Sequence, residues 1–127
     1  MAQAKILVVE DDTNQRTLYQ EELAEEGYDV LTASDGREAL KIVRESQPDL
    51  CVLDINMPVM DGLDTLSQML EQASRMPVVI NTAYASYKES FTSWSADAYV
   101  VKSSDLTELK QTVARLLREK QEKSSGG

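Results

Sequence analysis

Short apolar runs alternate with longer, partly polar stretches along the whole chain. Five runs have the length and composition of buried strands: Lys5–Val9, Tyr28–Ala33, Leu50–Leu53, Val78–Ile80 and Ala98–Val101. Strands that alternate with helices through short loops build a parallel sheet that is covered on both faces by right-handed crossovers. The pattern therefore predicts a doubly wound α/β domain with a five-stranded parallel sheet and five helices.

The stretches between the runs are the predicted helices. Asp12 or Thr13 can cap the first helix, and Gly27 can end it in a left-handed turn. The second helix is predicted over Gly36–Gln47, where Pro48 ends it. Apolar residues at helical spacing mark the second, third and last helices: Ala39, Leu40 and Val43; Leu63, Leu66, Met69 and Leu70; Leu106, Leu109, Val113, Leu116 and Leu117.

Two segments have weaker patterns. Tyr84–Ser95 interleaves serine and threonine with aromatic residues, so a short or irregular fourth helix is predicted there, in what should be the mobile part of the domain. Residues 121–127 are polar and end in Ser-Ser-Gly-Gly, which is typical of a flexible tail or linker. The folded domain is therefore predicted to cover residues 1–120.

Composition narrows the function classes. The 127 residues carry a net charge of −9 and include no histidine. Such an acidic domain repels nucleic acid and anionic membranes, so direct binding to either is not expected. No apolar run approaches the roughly 20 residues that span a bilayer, and a cytoplasmic location is expected. Because the chain lacks histidine, any histidine chemistry must come from a partner.

The loop that begins with Asp54 carries the most specific chemistry. Asp54 comes directly after a predicted buried strand, at the carboxyl edge where open α/β sheets bind their ligands. Met57-Pro58 and Asp61-Gly62 are expected to break regular structure and turn the chain back over this edge. One carboxylate is thereby presented at the end of a stiff strand.

Polar residues also stand at the ends of the neighbouring strands. Glu10 and Asp11 follow the first strand, Thr82 the fourth and Lys102 the fifth, so all should surround Asp54. Close carboxylates repel by about 4 kcal/mol per pair at an effective dielectric constant of roughly 20, which a cation such as Mg²⁺ can offset. With a lysine and a hydroxyl to stabilise a transferred phosphoryl group, Asp54 is predicted to be a nucleophile that becomes an aspartyl phosphate.

Four motifs are specific as a set. They are ILVVEDD, D-x-x-M-P-x-M-D-G at Asp54 to Gly62, Thr82-Ala83 after an apolar strand, and ADAYVVK ending at Lys102. From about Lys5 to Lys120 the chain resembles the receiver domains of two-component response regulators. The resemblance implies a CheY-like, flavodoxin-type fold with strand order 2-1-3-4-5, and a signalling switch that depends on phosphorylation.

The resemblance also implies a metal and a phosphoryl donor. Asp54 would be the phosphoacceptor and a ligand of Mg²⁺. Asp11 would bind the ion directly, Glu10 through water, and Asn56 through its backbone carbonyl group. The donor would be a phosphohistidine on a sensor kinase or a phosphotransfer protein.

Three residues are implied to hold and sense the phosphoryl group. Thr82 and Lys102 would contact its oxygens, and Tyr99 would swing inward when Thr82 moves toward the phosphate, so that a downstream protein target meets an altered face. The domain would catalyse its own phosphorylation and dephosphorylation, the latter at a rate tuned by Asn56 and Tyr84.

The chain departs from the family pattern around the fifth strand. Ser103 follows Lys102 where most receivers have proline, which argues against a cis peptide because a non-proline cis bond costs about 2.5–4 kcal/mol. The spacing from Thr82 to Lys102 is short for the family, and Ser95 replaces the usual glycine. The short fourth helix is therefore expected to be displaced relative to that of other receivers.

Three alternatives remain open from the sequence. The chain could be a degenerate receiver that binds partners without phosphorylation, or the N-terminal receiver of a longer DNA-binding response regulator. It could also be an aspartate-nucleophile phosphatase or a flavin carrier. A phosphatase of this type has a second acid where Asn56 stands, and a flavin carrier has a Ser/Thr/Gly-rich loop after the first strand; the chain has neither.

Overall fold

A computed structural model describes residues 3–54, 59–73, 75–83 and 96–126, and for 59–63 and 122–126 it describes the backbone alone. Within these residues, five strands alternate with four helices. The strands are β1 (Lys5–Val9), β2 (Asp29–Ala33), β3 (Leu50–Leu53), β4 (Val78–Thr82) and β5 (Ala98–Val101). The helices are α1 (Thr13–Glu25), α2 (Gly36–Ser46), α3 (Val59–Gln72) and α4 (Thr107–Gly126).

The strands form one parallel sheet in the order β2-β1-β3-β4-β5. Val9 at the end of β1 pairs with Ala33 and Leu53, the last residues of β2 and β3, and Thr82 pairs with Val101 at the ends of β4 and β5. The carboxyl ends of all five strands therefore lie along one edge. The predicted doubly wound fold and its strand order 2-1-3-4-5 are confirmed.

The helix ends are fixed by residues that satisfy their unpaired backbone groups. Asp12 caps α1, as predicted, by accepting a hydrogen bond from the Gln15 N–H at 3.1 Å. Asp35 caps α2 in the same way, accepting from the Glu38 N–H at 2.9 Å. Gly27 follows α1 with a φ of 96°, which is the predicted left-handed turn.

Successive side chains of a strand point to opposite faces of the sheet, so the apolar residues form two cores, one on each face. β1 places Leu7 and Val9 on the side of α2 and α3, and Ile6 and Val8 on the side of α1 and α4. Each of these four side chains is at most 1% exposed. Because full burial of such a side chain contributes about 1.5–3 kcal/mol, the central strands are stiff supports for the polar residues at their ends.

Helix α3 begins earlier than predicted. Asp61 and Gly62 lie inside this helix, so the prediction that they break regular structure is wrong. A glycine inside a helix costs only about 1 kcal/mol relative to alanine. Leu66 and Met69, at most 1% exposed on the same helix, contribute more than that by burial.

Several predictions fall at or beyond the limits of the described residues. The short fourth helix at Tyr84–Ser95 and its expected mobility lie outside them, as does Asn56. Helix α4, the last helix of the sequence pattern, continues to Gly126. The domain boundary at residue 120 and a flexible tail after it stay predictions.

The peptide-bond isomers and the apolar character of the helices are the last features of the described part of the chain. No cis peptide bond occurs there, so the bond between Lys102 and Ser103 is trans, as a non-proline residue favours. None of the helices there is both long and apolar enough to span a bilayer.

Candidate functional site

Backbone hydrogen bonds between neighbouring strands bring the predicted site residues to the same edge. The Asp54 N–H donates to the carbonyl of Val9, the residue before Glu10, at 3.0 Å. The Lys102 N–H donates to the carbonyl of Thr82 at 2.7 Å. The pairing of the strands thus places Asp54 beside Glu10, and Lys102 beside Thr82.

The side chain of Lys102 joins two of these strand ends. Its Nζ lies 2.7 Å from Glu10 Oε1 and 3.1 Å from Asp54 Oδ2. The lysine side chain is 10% exposed, and each carboxylate side chain is 2% exposed. Carboxylates this deeply buried need a compensating cation, and the Lys102 ammonium provides one.

Burial and charge shift the proton equilibria of this cluster. Burial raises the pKa of Glu10, the hydrogen bond with the Asp54 side chain raises it further, and the hydrogen bond from Lys102 offsets only part of the increase. Burial lowers the pKa of Lys102, but the hydrogen bond to Glu10 and the charges of both acids outweigh it, so the net shift is upward. The ammonium therefore stays charged at neutral pH.

A third carboxylate completes a group of oxygen ligands. One carboxylate oxygen each from Glu10, Asp11 and Asp54 lies within 4.8 Å of the other two. Asp11 is exposed to solvent, whereas the other two are buried. Carboxylates that converge at the rim of a site, with room for water on one side, fit Mg²⁺, which prefers oxygen ligands and keeps several waters.

The two predicted switch residues lie on adjacent strands. Thr82 is fully buried at the end of β4, and Tyr99 on β5 is 7% exposed. Tyr99 pairs with Ile80, two residues before Thr82, so Thr82 and Tyr99 occupy the same face of the sheet. Tyr99 belongs to the core on the side of α2 and α3.

Arg16 is a site residue that the sequence analysis did not identify. Its Nη1 donates to the carbonyl of Glu10 at 2.8 Å and lies 3.5 Å from the carbonyl of Asp11. Nη2 lies 3.4 Å from Thr13 Oγ1. The available signal was an arginine in the first turns of the helix after the acidic pair, a position from which a long side chain can reach back over the loop.

Fold and site together define a class of protein. A doubly wound sheet presents one buried aspartate at its carboxyl edge, among two more acids, a lysine and a buried threonine, and this is the chemistry of a phosphoacceptor domain. The family model of the response regulator receiver domain matches residues 6–114. The chain belongs to this family.

Known proteins with similar sequence and structure include response regulators. TrrA of Thermotoga maritima, solved in complex with Mg²⁺ and BeF, is 43% identical, with a TM-score of 0.82 over 89% of this chain and 98% of that one. TrrA in complex with the histidine kinase ThkA is 44% identical, with a TM-score of 0.81 over 90% of this chain and 98% of TrrA. The regulatory protein AtoC of Escherichia coli K12 is 36% identical over 116 residues, 90% of this chain.

The chain is shorter than the curated relatives that it matches. It spans 25% of the length of AtoC and 52% of that of the probable transcriptional regulator ycf27 of Porphyridium aerugineum. The remainder of those two proteins has no counterpart in this sequence.

Proposed function

We propose that this domain is a phosphorylation-dependent signalling switch in which Asp54 accepts the phosphoryl group. The observation that supports this best is the position of Asp54, buried at a strand end with Lys102 Nζ 3.1 Å from its Oδ2. The acid cluster that fits Mg²⁺ includes the same carboxylate. A fixed nucleophile beside a lysine, within a group of acids that can hold a cation, suits attack on a phosphoryl group whose oxygens must be stabilised.

The donor in this proposal is a phosphohistidine. A carboxylate oxygen of Asp54 forms a bond to phosphorus while the bond from phosphorus to the imidazole nitrogen breaks. The nitrogen keeps the electron pair and takes up a proton from solvent. To reset the switch, water attacks the phosphorus, the bond to Asp54 breaks with its electron pair left on the carboxylate, and inorganic phosphate leaves with the protons of the water.

The chain's own residues would hold the phosphoryl group through complementary contacts. Lys102 would move its ammonium from Glu10 toward the new oxygens, and Thr82 would donate a hydrogen bond from its hydroxyl. Glu10, Asp11, Asp54 and the carbonyl of Asn56 would hold Mg²⁺. The bound ion would supply positive charge that stabilises the phosphoryl oxygens.

The switch would work through the face shared by Thr82 and Tyr99. Phosphorylation adds about 1.5 to 2 negative charges at the strand end. Movement of Thr82 toward that charge would favour an inward position of Tyr99, whose side chain is 7% exposed. A downstream protein that binds the inward arrangement more tightly would thereby sense phosphorylation.

A direct labelling experiment tests the proposal. The protein is incubated with MgCl₂ and acetyl phosphate, and the intact mass is measured by mass spectrometry. We expect the mass increment of one phosphoryl group, which EDTA prevents and which Asp54→Asn abolishes. Asp64→Asn, a matched change at an exposed carboxylate on α3, should keep the increment.

Other outcomes would support the remaining alternatives or move the phosphoacceptor to another residue. No labelling of the wild-type protein would favour a degenerate receiver that binds its partner without phosphorylation. Catalytic turnover of phosphate esters, or a yellow protein with bound flavin, would favour an enzyme or a flavin carrier. An increment that persists in Asp54→Asn would place the phosphoacceptor elsewhere.

The kinase partner is also part of the proposal. The receiver TrrA, 44% identical to this chain, is solved in complex with a histidine kinase. This likeness and the absence of histidine from the chain support a sensor kinase or a phosphotransfer protein as the donor, acting with the domain in the cytoplasm.

A second candidate function concerns the output. Several similar curated proteins are transcriptional regulators, and the chain matches only a quarter to about half of their length. This favours a receiver that controls an attached DNA-binding domain. The net charge of −9 means that DNA contacts would come from that other domain.

A further inference from the structure

The loop between β1 and α1 holds two of the metal-binding acids and is itself held by Arg16. The guanidinium is half-buried and donates at 2.8 Å to the carbonyl of Glu10. The same Nη1 lies 3.5 Å from the carbonyl of Asp11. One side chain on α1 thus contacts the backbone of both acids without forming an ion pair with either carboxylate among the contacts that the structure describes.

These carbonyl groups lie where the sheet can no longer pair them. Within the sheet, the carbonyl of Val9 accepts from the Asp54 N–H at 3.0 Å. Glu10 comes one residue later, past the ends of both neighbouring strands, and its carbonyl accepts from Arg16 instead. A charged donor makes this a stronger hydrogen bond than a neutral one.

The orientation of a peptide group sets the direction of the side chains on both sides of it. The carbonyl that Arg16 holds belongs to the peptide group between Glu10 and Asp11. On the other side of the loop, the Asp12 N–H donates to Glu10 Oε2 at 3.2 Å. Arg16 therefore fixes the backbone from which two of the three clustered carboxylates project.

We propose that Arg16 is a positioning residue for the magnesium site, which holds the carbonyl groups of Glu10 and Asp11 so that their carboxylates converge on Asp54. The inference deepens the proposed function and rests on its metal site, but it does not depend on transfer of a phosphoryl group. It is therefore testable on the unphosphorylated protein.

The sign of the effect separates positioning from simple charge. Arg16 is a cation near a cation site, so as a charge alone it repels Mg²⁺, and its neutralisation would tighten binding. As a positioning residue it improves the ligand geometry, and its loss would weaken binding. Partners that orient metal ligands typically change metal affinity by about 10-fold to 100-fold when they are removed.

The experiment measures the dissociation constant of Mg²⁺ by isothermal titration calorimetry. We expect Arg16→Gln to raise it about tenfold. Arg16→Lys keeps the charge but replaces a planar fork with a point charge, so we expect it to raise the dissociation constant as well. Lysine and glutamine are both good helix formers, so α1 should be preserved in both variants.

Arg44→Gln is the matched control. Arg44 is an exposed arginine on α2, near the start of β3 at the opposite edge of the sheet, and its change in charge is the same. We expect it to leave the dissociation constant of Mg²⁺ unchanged. Circular dichroism in EDTA, well below the unfolding temperature, verifies that each variant is folded; if Arg16→Gln does not fold, Arg16→Lys carries the test.

The results distinguish this inference from the proposed function. Unchanged or tighter Mg²⁺ binding in Arg16→Gln would overturn the positioning role, as would an equal loss in Arg44→Gln. Wild-type affinity in Arg16→Lys would overturn it too, because the contacts of the guanidinium group with the carbonyl groups of Glu10 and Asp11 would then not be needed. Failure of Asp54 to accept a phosphoryl group would refute the proposed function and leave the effect on Mg²⁺ affinity intact.

Discussion

The two edges of the sheet carry similar lysine–carboxylate contacts in different surroundings. At the carboxyl edge, Lys102 lies 2.7 Å from Glu10 and 3.1 Å from Asp54, with acid side chains only 2% exposed. At the amino edge, Lys120 lies 3.4 Å from Asp49, and these side chains are 30% and 42% exposed. Water screens the contact of Lys120 with Asp49 but not the contacts of Lys102. Loss of one partner therefore leaves an uncompensated buried charge only at the carboxyl edge.

The carboxyl edge, where the charges are more deeply buried, is also the more closely packed edge. At the carboxyl edge, Gly36 at the start of α2 lies so close to Thr65 of α3 that a Cβ added to the glycine would overlap the threonine hydroxyl. At the amino edge, an open cavity of about 790 Å³ lies among residues that include Arg44, Arg75 and Lys120. Close packing and buried charge thus coincide at the edge with the candidate site, where positions must be held accurately.

The largest effect should come from removing the cation at the carboxyl edge. Lys102→Met leaves Glu10 and Asp54 buried without a counter-charge, so we expect the free energy of unfolding to fall by about 3 kcal/mol. Lys120→Met removes the same charge from the amino edge and should cost about 1 kcal/mol or less. Urea unfolding in EDTA at neutral pH measures both.

Addition of Mg²⁺ extends this test. Because the ammonium no longer competes for the carboxylates, the ion should stabilise Lys102→Met more than it stabilises the wild-type protein. Equal losses in the Lys102 and Lys120 variants, or no additional stabilisation by Mg²⁺, would show that burial does not distinguish the two edges.

A smaller effect should come from the packing difference. Gly36→Ala forces α2 and α3 apart at Thr65, and overpacking of this kind costs about 2 kcal/mol. Ala73→Val adds volume where the open cavity of the amino edge can accept it, so its cost should stay within about 0.5 kcal/mol. Thermal unfolding of the two variants compares them, and a similar loss in both would contradict a tighter carboxyl edge.

The sheet and the main residues of the site could be predicted from the sequence. Buried parallel strands are continuous apolar runs, and residues that directly follow such runs must meet at one edge. Asp54, Lys102 and Glu10 each follow a run of this kind, so their proximity could be predicted from topology alone. The structure places the carboxylates of Glu10 and Asp54 within hydrogen-bond distance of the Lys102 ammonium group.

Contacts that depend on how side chains and helices of different elements meet could not be predicted from the sequence. Arg16 reaches back across the loop to backbone carbonyls, and no spacing rule encodes a bond from a side chain to a carbonyl. The contact of Gly36 with Thr65 depends on how two helices cross. Asp61-Gly62 is a turn signal locally, but burial on the rest of α3 outweighs it.

The smallest effect on stability should come from an exposed acid at the carboxyl edge. Such an acid shows whether location at this edge matters without burial. Asp105 lies just past Lys102 at the carboxyl edge, but it is fully exposed and accepts hydrogen bonds from the Thr107 hydroxyl at 2.6 Å and the Thr107 N–H at 2.9 Å. These bonds lower the pKa of Asp105, chiefly the one from the hydroxyl. Asp105→Asn keeps an acceptor oxygen and removes the charge, so only a slight decrease in the unfolding temperature is expected at neutral pH.

The pH dependence should have opposite signs for Asp105 and the buried Glu10. Because folding lowers the pKa of Asp105, its contribution is present above the ordinary value of 3.8 and disappears as the pH falls below it. Because burial raises the pKa of Glu10, its contribution is present below 4.5 and is lost as the pH rises through the raised value. Unfolding temperatures of Asp105→Asn and Glu10→Gln relative to wild type, recorded in EDTA across this range, should diverge in opposite directions; parallel profiles would mean that position at the edge, and not burial, sets the behaviour of these acids.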